Sequence, residues 1–342
     1  MTKKLTIYDI AELAGVSPAT VSRVLNNSGP VRQSTRDAVE DVIREHDYRP
    51  NVLAQSLSTK QSRTIGFILP DITNPFFATV FLEAEKRALE LGYTVMLGNS
   101  LNDTEIESRN LRSLLEKQVD GIIFMGGRVN EDPPKPEHVA EMAEVLEAVP
   151  LVMVNGKMPA VDCWHVYSDE AQGIREAVAY LCELGHEHIE MIGGVPGNLT
   201  TDIKIDAFRR ALEDHGLPTA YARTIPGRWS VEDGMVCLQQ LLERGDLPTA
   251  LIAINDLIAI GVMLKARERG LEIPGDLSLI GIDDIYWARI FRPHLTTISQ
   301  NYGELGPTAV DVVMALGHDQ PLEKEITVPT QLVIRDSCCE VD

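Results

Sequence analysis

Thr6-Ile-Tyr-Asp-Ile-Ala-Glu-Leu-Ala-Gly-Val-Ser-Pro-Ala-Thr-Val-Ser-Arg-Val-Leu-Asn26 holds two short helices with a tight turn between them. Thr6 can cap the first, and Asp9 occupies the position of a capping-box acid. Ile7, Ile10, Ala11 and Ala14 then share one face at helical spacing. Gly15 can take the left-handed conformation that ends this helix. Ser17 can cap the second helix, and Pro18 suits its first position. Val21, Val24 and Leu25 turn inward, leaving Ala19, Thr20, Ser22, Arg23 and Asn26 facing out. A helix that lies in a DNA major groove needs an outer face of this kind, made of small, hydroxyl, Arg and Asn side chains.

A helical hairpin occurs equally as plain core, and alone it leaves both readings open. The next stretch tips the balance. Ser34 is placed to cap a third helix whose Ala38, Val39, Val42 and Ile43 complete a three-helix core. Tyr48-Arg-Pro-Asn-Val-Leu-Ala-Gln-Ser-Leu-Ser-Thr-Lys-Gln-Ser-Arg63 follows, with Pro50 breaking that helix and Asn51 able to cap a short new one. With Val16-Ser-Pro-Ala-Thr-Val-Ser-Arg-Val-Leu-Asn-Asn27, Arg49-Pro-Asn51 and Leu57, the sequence resembles the LacI/GalR family of bacterial transcription repressors. Further matching landmarks are Asp71-Ile-Thr-Asn-Pro-Phe-Phe77, Leu184-Gly-His-Glu-His-Ile189, Ala253-Ile-Asn-Asp256, Leu277-Ser-Leu-Ile-Gly-Ile-Asp-Asp284, Leu295-Thr-Thr-Ile-Ser-Gln300 and Leu332-Val-Ile-Arg335. They span nearly the whole chain and are specific for the family, though not for its effector.

The resemblance implies a recognition helix at about 18–27, with Pro18, Ala19 and Arg23 at positions that vary with operator sequence. Arg23 suits a bidentate contact to guanine; its alternative is a phosphate contact. Thr20, Ser22 and Asn26 are expected as phosphate anchors. Thr6, Ser17, Asn51 and Ala54 complete the expected DNA contacts. A hinge helix of roughly nine residues is too short to stand alone in water. It would order beside a second subunit's hinge in a widened minor groove, with Leu57 wedged between base pairs. Separating the two hinges would then release the operator.

Composition agrees with this division of labour. The chain has 342 residues, 44% of them hydrophobic, enough for two or three domains. Its net charge of −20 is unevenly spread. Residues 1–63 carry nine Lys/Arg against seven Asp/Glu, and the remainder 22 against 44. The head can neutralise phosphates, while the acidic body should weaken non-specific binding and aid solubility. No run of 18 apolar residues suggests a membrane span. Met1-Thr-Lys-Lys-Leu5 lacks the apolar stretch of a secretory signal. Cys163, Cys182, Cys237, Cys338 and Cys339 form no C-x-x-C pair and read as reduced thiols of a cytoplasmic, nucleoid-associated protein. No metal or cofactor is expected.

After Arg63 strands alternate with helices. Strands are expected at Thr64–Leu69, Tyr93–Leu97, Val119–Phe124, Leu151–Val154, Ile189–Ile192, Ala250–Ala253 and Leu277–Ile282. Helices fall between them, and Asp132-Pro-Pro-Lys-Pro136 reads as a surface loop. The pattern predicts two doubly wound parallel sheets. The expected architecture is an N-terminal all-α helix-turn-helix head (1–50), a hinge helix and linker (51–63), and an α/β two-lobed, periplasmic-binding-protein-like body (64–342). By the family's implied topology the chain crosses three times, with a near lobe of about 64–162 and 293–321 and a far lobe of about 163–292 and 322–342.

Ligands in such sheets bind beyond the carboxyl ends of the strands, here the interlobe cleft. A sugar site needs convergent polar groups and an aromatic platform. The candidates are Asp71, Asn74, Phe76 and Phe77 from one lobe and Lys204, Trp229, Asn255 and Asp283 from the other. Phe76 and Trp229 have core aromatics as their alternative, and Asp256 reads as a helix cap. Relatives often carry Arg in an R-x-x-G-F segment where this chain has Lys204-Ile-Asp-Ala-Phe208. Asn155-Gly-Lys-Met158 likewise departs from a frequent acid-and-Arg pairing. The effector is therefore left as an unusual saccharide, a phosphorylated sugar held by Lys204, or another small molecule; a partner-protein co-repressor stays open.

The reading is a sequence-specific repressor that binds a near-palindromic DNA operator as a homodimer, controlled by a sugar or sugar derivative. The absence of a heptad tail after Leu332 favours a dimer over a tetramer. A two-lobed solute-binding protein without a DNA role is the alternative. An enzyme is not expected, since Pro70-Asp-Ile-Thr-Asn-Pro75 replaces any glycine-rich phosphate loop. His186 and His188 read as surface or turn residues, not metal ligands.

Overall fold

The computed structural model describes residues 5–25, 29–48, 61–219, 224–317 and 322–341. The contacts divide the chain into two units, residues 1–62 and 63–342.

In the first unit, α1 (Ile7–Leu13), α2 (Pro18–Leu25) and α3 (Gln33–Glu45) close around Ile10, Ala11, Val21, Val24 and Val39. Thr6 and Asp9 form a reciprocal capping box on α1. Gly15, at φ 64°, makes the left-handed turn into α2 without a Cβ penalty. Two details differ from expectation. Arg32, in extended conformation, precedes the first residue of α3 and supplies no side-chain cap, so Ser34 lies inside the first turn. Ala38 is exposed, because helical spacing puts Val39, Val42 and Ile43 on the inner face and Ala38 beside it.

The second unit holds two six-stranded sheets. The first is built from β1 (Thr64–Leu69), β2 (Thr94–Asn99), β3 (Gly121–Met125), β4 (Leu151–Val154), β5 (Trp164–Ser168) and β11 (Glu325–Val328). Its order is β11-β5-β4-β3-β1-β2, parallel throughout. Central strands such as β1 (TIGFIL) and β3 (GIIFM) are almost uninterrupted apolar runs, as burial on both faces demands. Helices α4 (Pro75–Glu90), α5 (Thr104–Glu116), α6 (Pro136–Ala148) and α11 (Tyr302–Leu316) accompany it.

The second sheet is formed by β6 (Ile189–Ile192), β7 (Thr224–Ile225), β8 (Ala250–Ala253), β9 (Ser278–Asp283), β10 (Thr296–Ser299) and β12 (Gln331–Val333). Its order is β12-β10-β9-β8-β6-β7, with only β12 antiparallel. Its helices are α7 (Glu170–Glu183), α8 (Leu199–Asp214), α9 (Val231–Arg244) and α10 (Asp256–Arg269).

The chain changes sheets after Ser168, Ser299 and Val328, each later than expected. Residues 164–168, assigned from sequence to the far lobe, pair in register with β4, and β10 belongs with β9 rather than with the near lobe. β11 also pairs with β5, away from the far-lobe segment in which it was placed. Strand pairing, invisible in local sequence, decides these limits. His186 corrects another expectation. It is buried, and its ring nitrogens meet the Thr249 and Ser278 hydroxyls at 2.9 and 3.0 Å and the Cys339 carbonyl at 3.1 Å, so it ties the sheet to the C-terminal segment.

Candidate functional site

Parallel strands deliver their carboxyl ends, and the helix N-termini that follow them, to one edge of each sheet. Between the two edges lies a cavity of about 880 Å³. β1 leads into Pro70 and Asp71, and α4 starts after Asn74. β3 leads into Gly126 and Gly127, β4 into Asn155 and β5 into Glu170. From the second sheet come Asn198, Thr200 and Lys204 after β6, Arg228 and Trp229 after β7, Asn255 after β8, Asp283 at the end of β9 and Gln300 after β10. All of these line the cavity.

The floor is a polar network. Asn155 donates to Gln300 Oε1 at 3.0 Å, and Gln300 Nε2 donates to Asp283 Oδ1 at 2.6 Å. The Ser168 amide donates to Asn155 Oδ1 at 2.7 Å. Lys204 Nζ sits 2.5 Å from Glu170 Oε1, with both side chains only 7% exposed. Asp283 has a backbone φ of 115°, unusual for a residue with a Cβ. Burial, and then the charge of Asp256, push its carboxyl well above the ordinary carboxylate range; Lys204 and the Gln300 hydrogen bond oppose them. Asp256 lies behind the floor. It accepts from the Ile285 amide at 2.8 Å and the Thr297 hydroxyl at 2.6 Å, and Gly281 leaves the room its carboxylate needs.

The candidate effector residues Asp71, Asn74, Phe76, Phe77, Lys204, Trp229, Asn255 and Asp283 all meet at this cavity. Their surroundings refine the expectations. Asn74 and Asn255 spend a side-chain oxygen capping α4 and α10. It is thus Asn255, not Asp256, that caps α10. Asp71 accepts from the Thr73 amide and hydroxyl in a tight turn. Phe76 is 8% exposed and packs on Tyr302 and Phe77, so it is chiefly core. Phe77, Trp229 and Trp287 offer the more accessible aromatic surface. Among the described residues no group of His, Cys, Asp and Glu could hold a metal.

On the head, Ala19 and Arg23 are exposed, with Pro18, Thr20 and Ser22 half-buried beside them. Thr6 donates from its amide and hydroxyl to Asp9 Oδ2, both at 2.6 Å. Ser17 Oγ accepts from the Thr20 amide at 3.2 Å. Thr6 and Ser17 therefore shape the helices first. Asn26, Asn51, Ala54 and Leu57 lie outside the described residues.

Residues 6–51 match the model of bacterial regulatory proteins of the lacI family, and 178–338 match a periplasmic binding protein-like domain. The HTH-type transcriptional regulator DegA of Bacillus subtilis (strain 168) is 36% identical over 335 residues, covering 98% of each chain. The chain belongs to the lacI family of bacterial transcription regulators.

Solved structures agree with this lacI-family assignment. The lac repressor dimer bound to operator and the anti-inducer ONPF superimposes with a TM-score of 0.86 at 29% identity, covering 98% of this chain and all of that one. A LacI family regulator from Enterococcus faecium with bound ribose gives 0.71 at 26% identity, covering 82% and 100%. The named relatives are regulators, not enzymes. No helix among the described residues is long and apolar enough to cross a membrane.

Several cavity residues of this lacI-family chain escaped the sequence reading: Glu170, Asn130, Asn155, Gln300, Arg228 and Trp287. Asn155 was noticed only as a departure from a pattern. Glu170 and Gln300 sit where the chain changes sheets, and nothing local marks such a crossing. Position directly after a strand was the available signal for Asn155. On α1, Tyr8 is 71% exposed.

Proposed function

We propose that the chain is a repressor that binds a near-palindromic DNA operator as a homodimer, and that a sugar or sugar derivative in the interlobe cleft controls its affinity. The observation that carries this reading is the cavity at the strand ends, with a hydrogen-bonding floor and an aromatic mouth, in a chain that also has a lacI-family head. Polar groups at fixed positions orient hydroxyls, and flat rings cover the apolar face of a sugar. The ribose-bound relative and the operator-bound lac repressor dimer support the analogy.

Arg23 and Ala19 are assigned to base edges, Thr20 and Ser22 to phosphates, and Tyr8 is a further candidate for the backbone. Asn26, Asn51, Ala54 and Leu57 keep the roles that the family implies. The homodimer draws support from an edge. β2 ends one side of the first sheet, and with α4 and the adjoining turns it leaves Leu82, Leu89, Leu91, Leu97 and Leu101 exposed. Unpaired edges and apolar patches of this kind are commonly covered by a second copy. The place of action is the cytoplasm, at the chromosome.

The deciding experiment selects duplexes from a random pool, then measures affinity for the winner by fluorescence anisotropy with and without each sugar of a panel. Selection of an inverted repeat, and a saturable change in affinity with one sugar, are the expected results. Recovery of no preferred sequence would sink the reading.

A further inference from the structure

We propose that Glu170 makes the cleft reject anions, so that the effector is an uncharged, hydroxylated molecule and not a phosphorylated or carboxylated one. This rests on the cleft being the effector site and narrows what enters it. Lys204 is the cation of the floor, and by charge alone it suggests a phosphate subsite. Its ammonium is already neutralised by the Glu170 carboxylate at 2.5 Å. An anion that reached Lys204 would lie a few ångströms from Glu170 in a water-poor cavity, where like charges repel far more strongly than in bulk water. The Asp283 carboxyl faces the same floor and feels both groups.

Caps and first-turn acids weaken the other usual route, the helix N-termini. Five helices begin on the cleft, α7 among them with Glu170 as its first residue and Asp169 accepting from the Gln172 amide at 2.9 Å, and free N–H groups at such ends commonly bind anions. Here Asn74 accepts from the Phe76 amide at 3.0 Å and Asn198 from the Thr201 amide at 3.3 Å. Ser230 accepts from the Asp233 amide at 3.1 Å and Asn255 from the Ile258 amide at 2.9 Å. First-turn acids add negative charge at three of them: Glu170, then Asp202, then Glu232 with Asp233.

A third observation states what the ligand must bring. Asn130 is 9% exposed, lines the cavity, and its Oδ1 has no hydrogen-bond partner. A buried acceptor calls for a donor. A hydroxyl supplies one; a phosphate dianion does not. Arg228, the other cation of the lining, is exposed and stands beside Asp233.

The test is calorimetric titration of the full chain, without DNA, with inorganic phosphate and with ribose 5-phosphate. Wild type is expected to bind neither. Glu170→Gln combined with Asp283→Asn frees Lys204 and should bind phosphate at least tenfold more tightly than wild type, a gain that further substitution Lys204→Gln removes. Glu170→Ala with Asp283→Asn replaces the first variant if circular dichroism shows that it does not fold. Wild-type phosphate binding that Lys204→Gln or Arg228→Gln abolishes overturns the proposal, as does a folded double variant with no gain. The effector-site reading fails separately, if no molecule bound in the cleft alters operator affinity.

Discussion

Gln300 donates to Asp283 at 2.6 Å while accepting from Asn155 at 3.0 Å, so one amide links the end of β9 in the second sheet to the end of β4 in the first. Gln300 itself stands on the crossover between β10 and α11. A ligand that touches Asp283 therefore acts where the two lobes are joined.

Asp283→Ala removes the acceptor of that link. The variant should lose its operator response to the effector, with at least a tenfold weaker effector affinity, while apo operator affinity stays within about threefold, roughly 0.7 kcal/mol. Anisotropy titrations with and without effector read both quantities. A normal response would take Asp283 out of the site.

Arg23→Ala should relax base preference at one position of each half-site, losing about 1–3 kcal/mol of discrimination. Selection from random duplexes checks this. Recovery of the wild-type motif would make Arg23 a phosphate contact.

Leu57→Ala should weaken specific operator binding by tenfold or more, about 1.4 kcal/mol, and non-specific binding far less, because only the kinked site uses a wedge. Equal losses on both duplexes would remove the wedge.

Asp256 gives a pH signature. Burial first, and then Asp284, raise its carboxyl to about 8, against the hydrogen bonds from Thr297 and Ile285 and the charge of Arg335. The folded chain thus holds this proton more tightly than the unfolded chain. The associated stability is fully present below the unfolded value of 3.8 and is lost as pH rises through about 8. Asp256→Asn keeps the shape and does not titrate. Its Tm relative to wild type should rise steadily between pH 5 and pH 8. A pH-independent difference would show that another group titrates.

Arg128 is fully buried between α5 and α6, 2.6 Å from Glu107 and 2.5 Å from Glu141. Burial raises the Glu107 carboxyl, and the Arg128 hydrogen bond and charge pull it back. Arg128→Met strands both acids and should cost about 3 kcal/mol, roughly 6–12 °C in Tm. Calorimetry would count against this if Tm moved by less than a degree.

Much of the molecule could be read from local patterns. The Thr6–Asp9 capping box, the turn at Gly15 and the strands at 64–69, 151–154, 189–192 and 250–253 stand where periodicity and capping chemistry put them. Polar residues directly after strands marked Asp71, Asn255 and Asp283 as cavity candidates, because parallel topology sends strand ends to a common edge. Local patterns misplaced what depends on pairing between distant segments. Trp164–Ser168 reads as far lobe from sequence, and only its register with β4 returns it to the first sheet. Phe76 reads as a platform until Tyr302, more than two hundred residues away, is seen packed against it.

By itself the sequence determined the class of protein, since helix caps, apolar periodicity and motif spacing are properties of neighbouring residues. The tertiary structure decided the chemistry of the cleft. Lys204 is a free cation on paper, and only folding sets Glu170 beside it. Burial then turns a nominal anion subsite into a neutral pair, because a charge withdrawn from water must find its counter-charge nearby. That contact joins α7 and α8, and no pattern along the chain announces it.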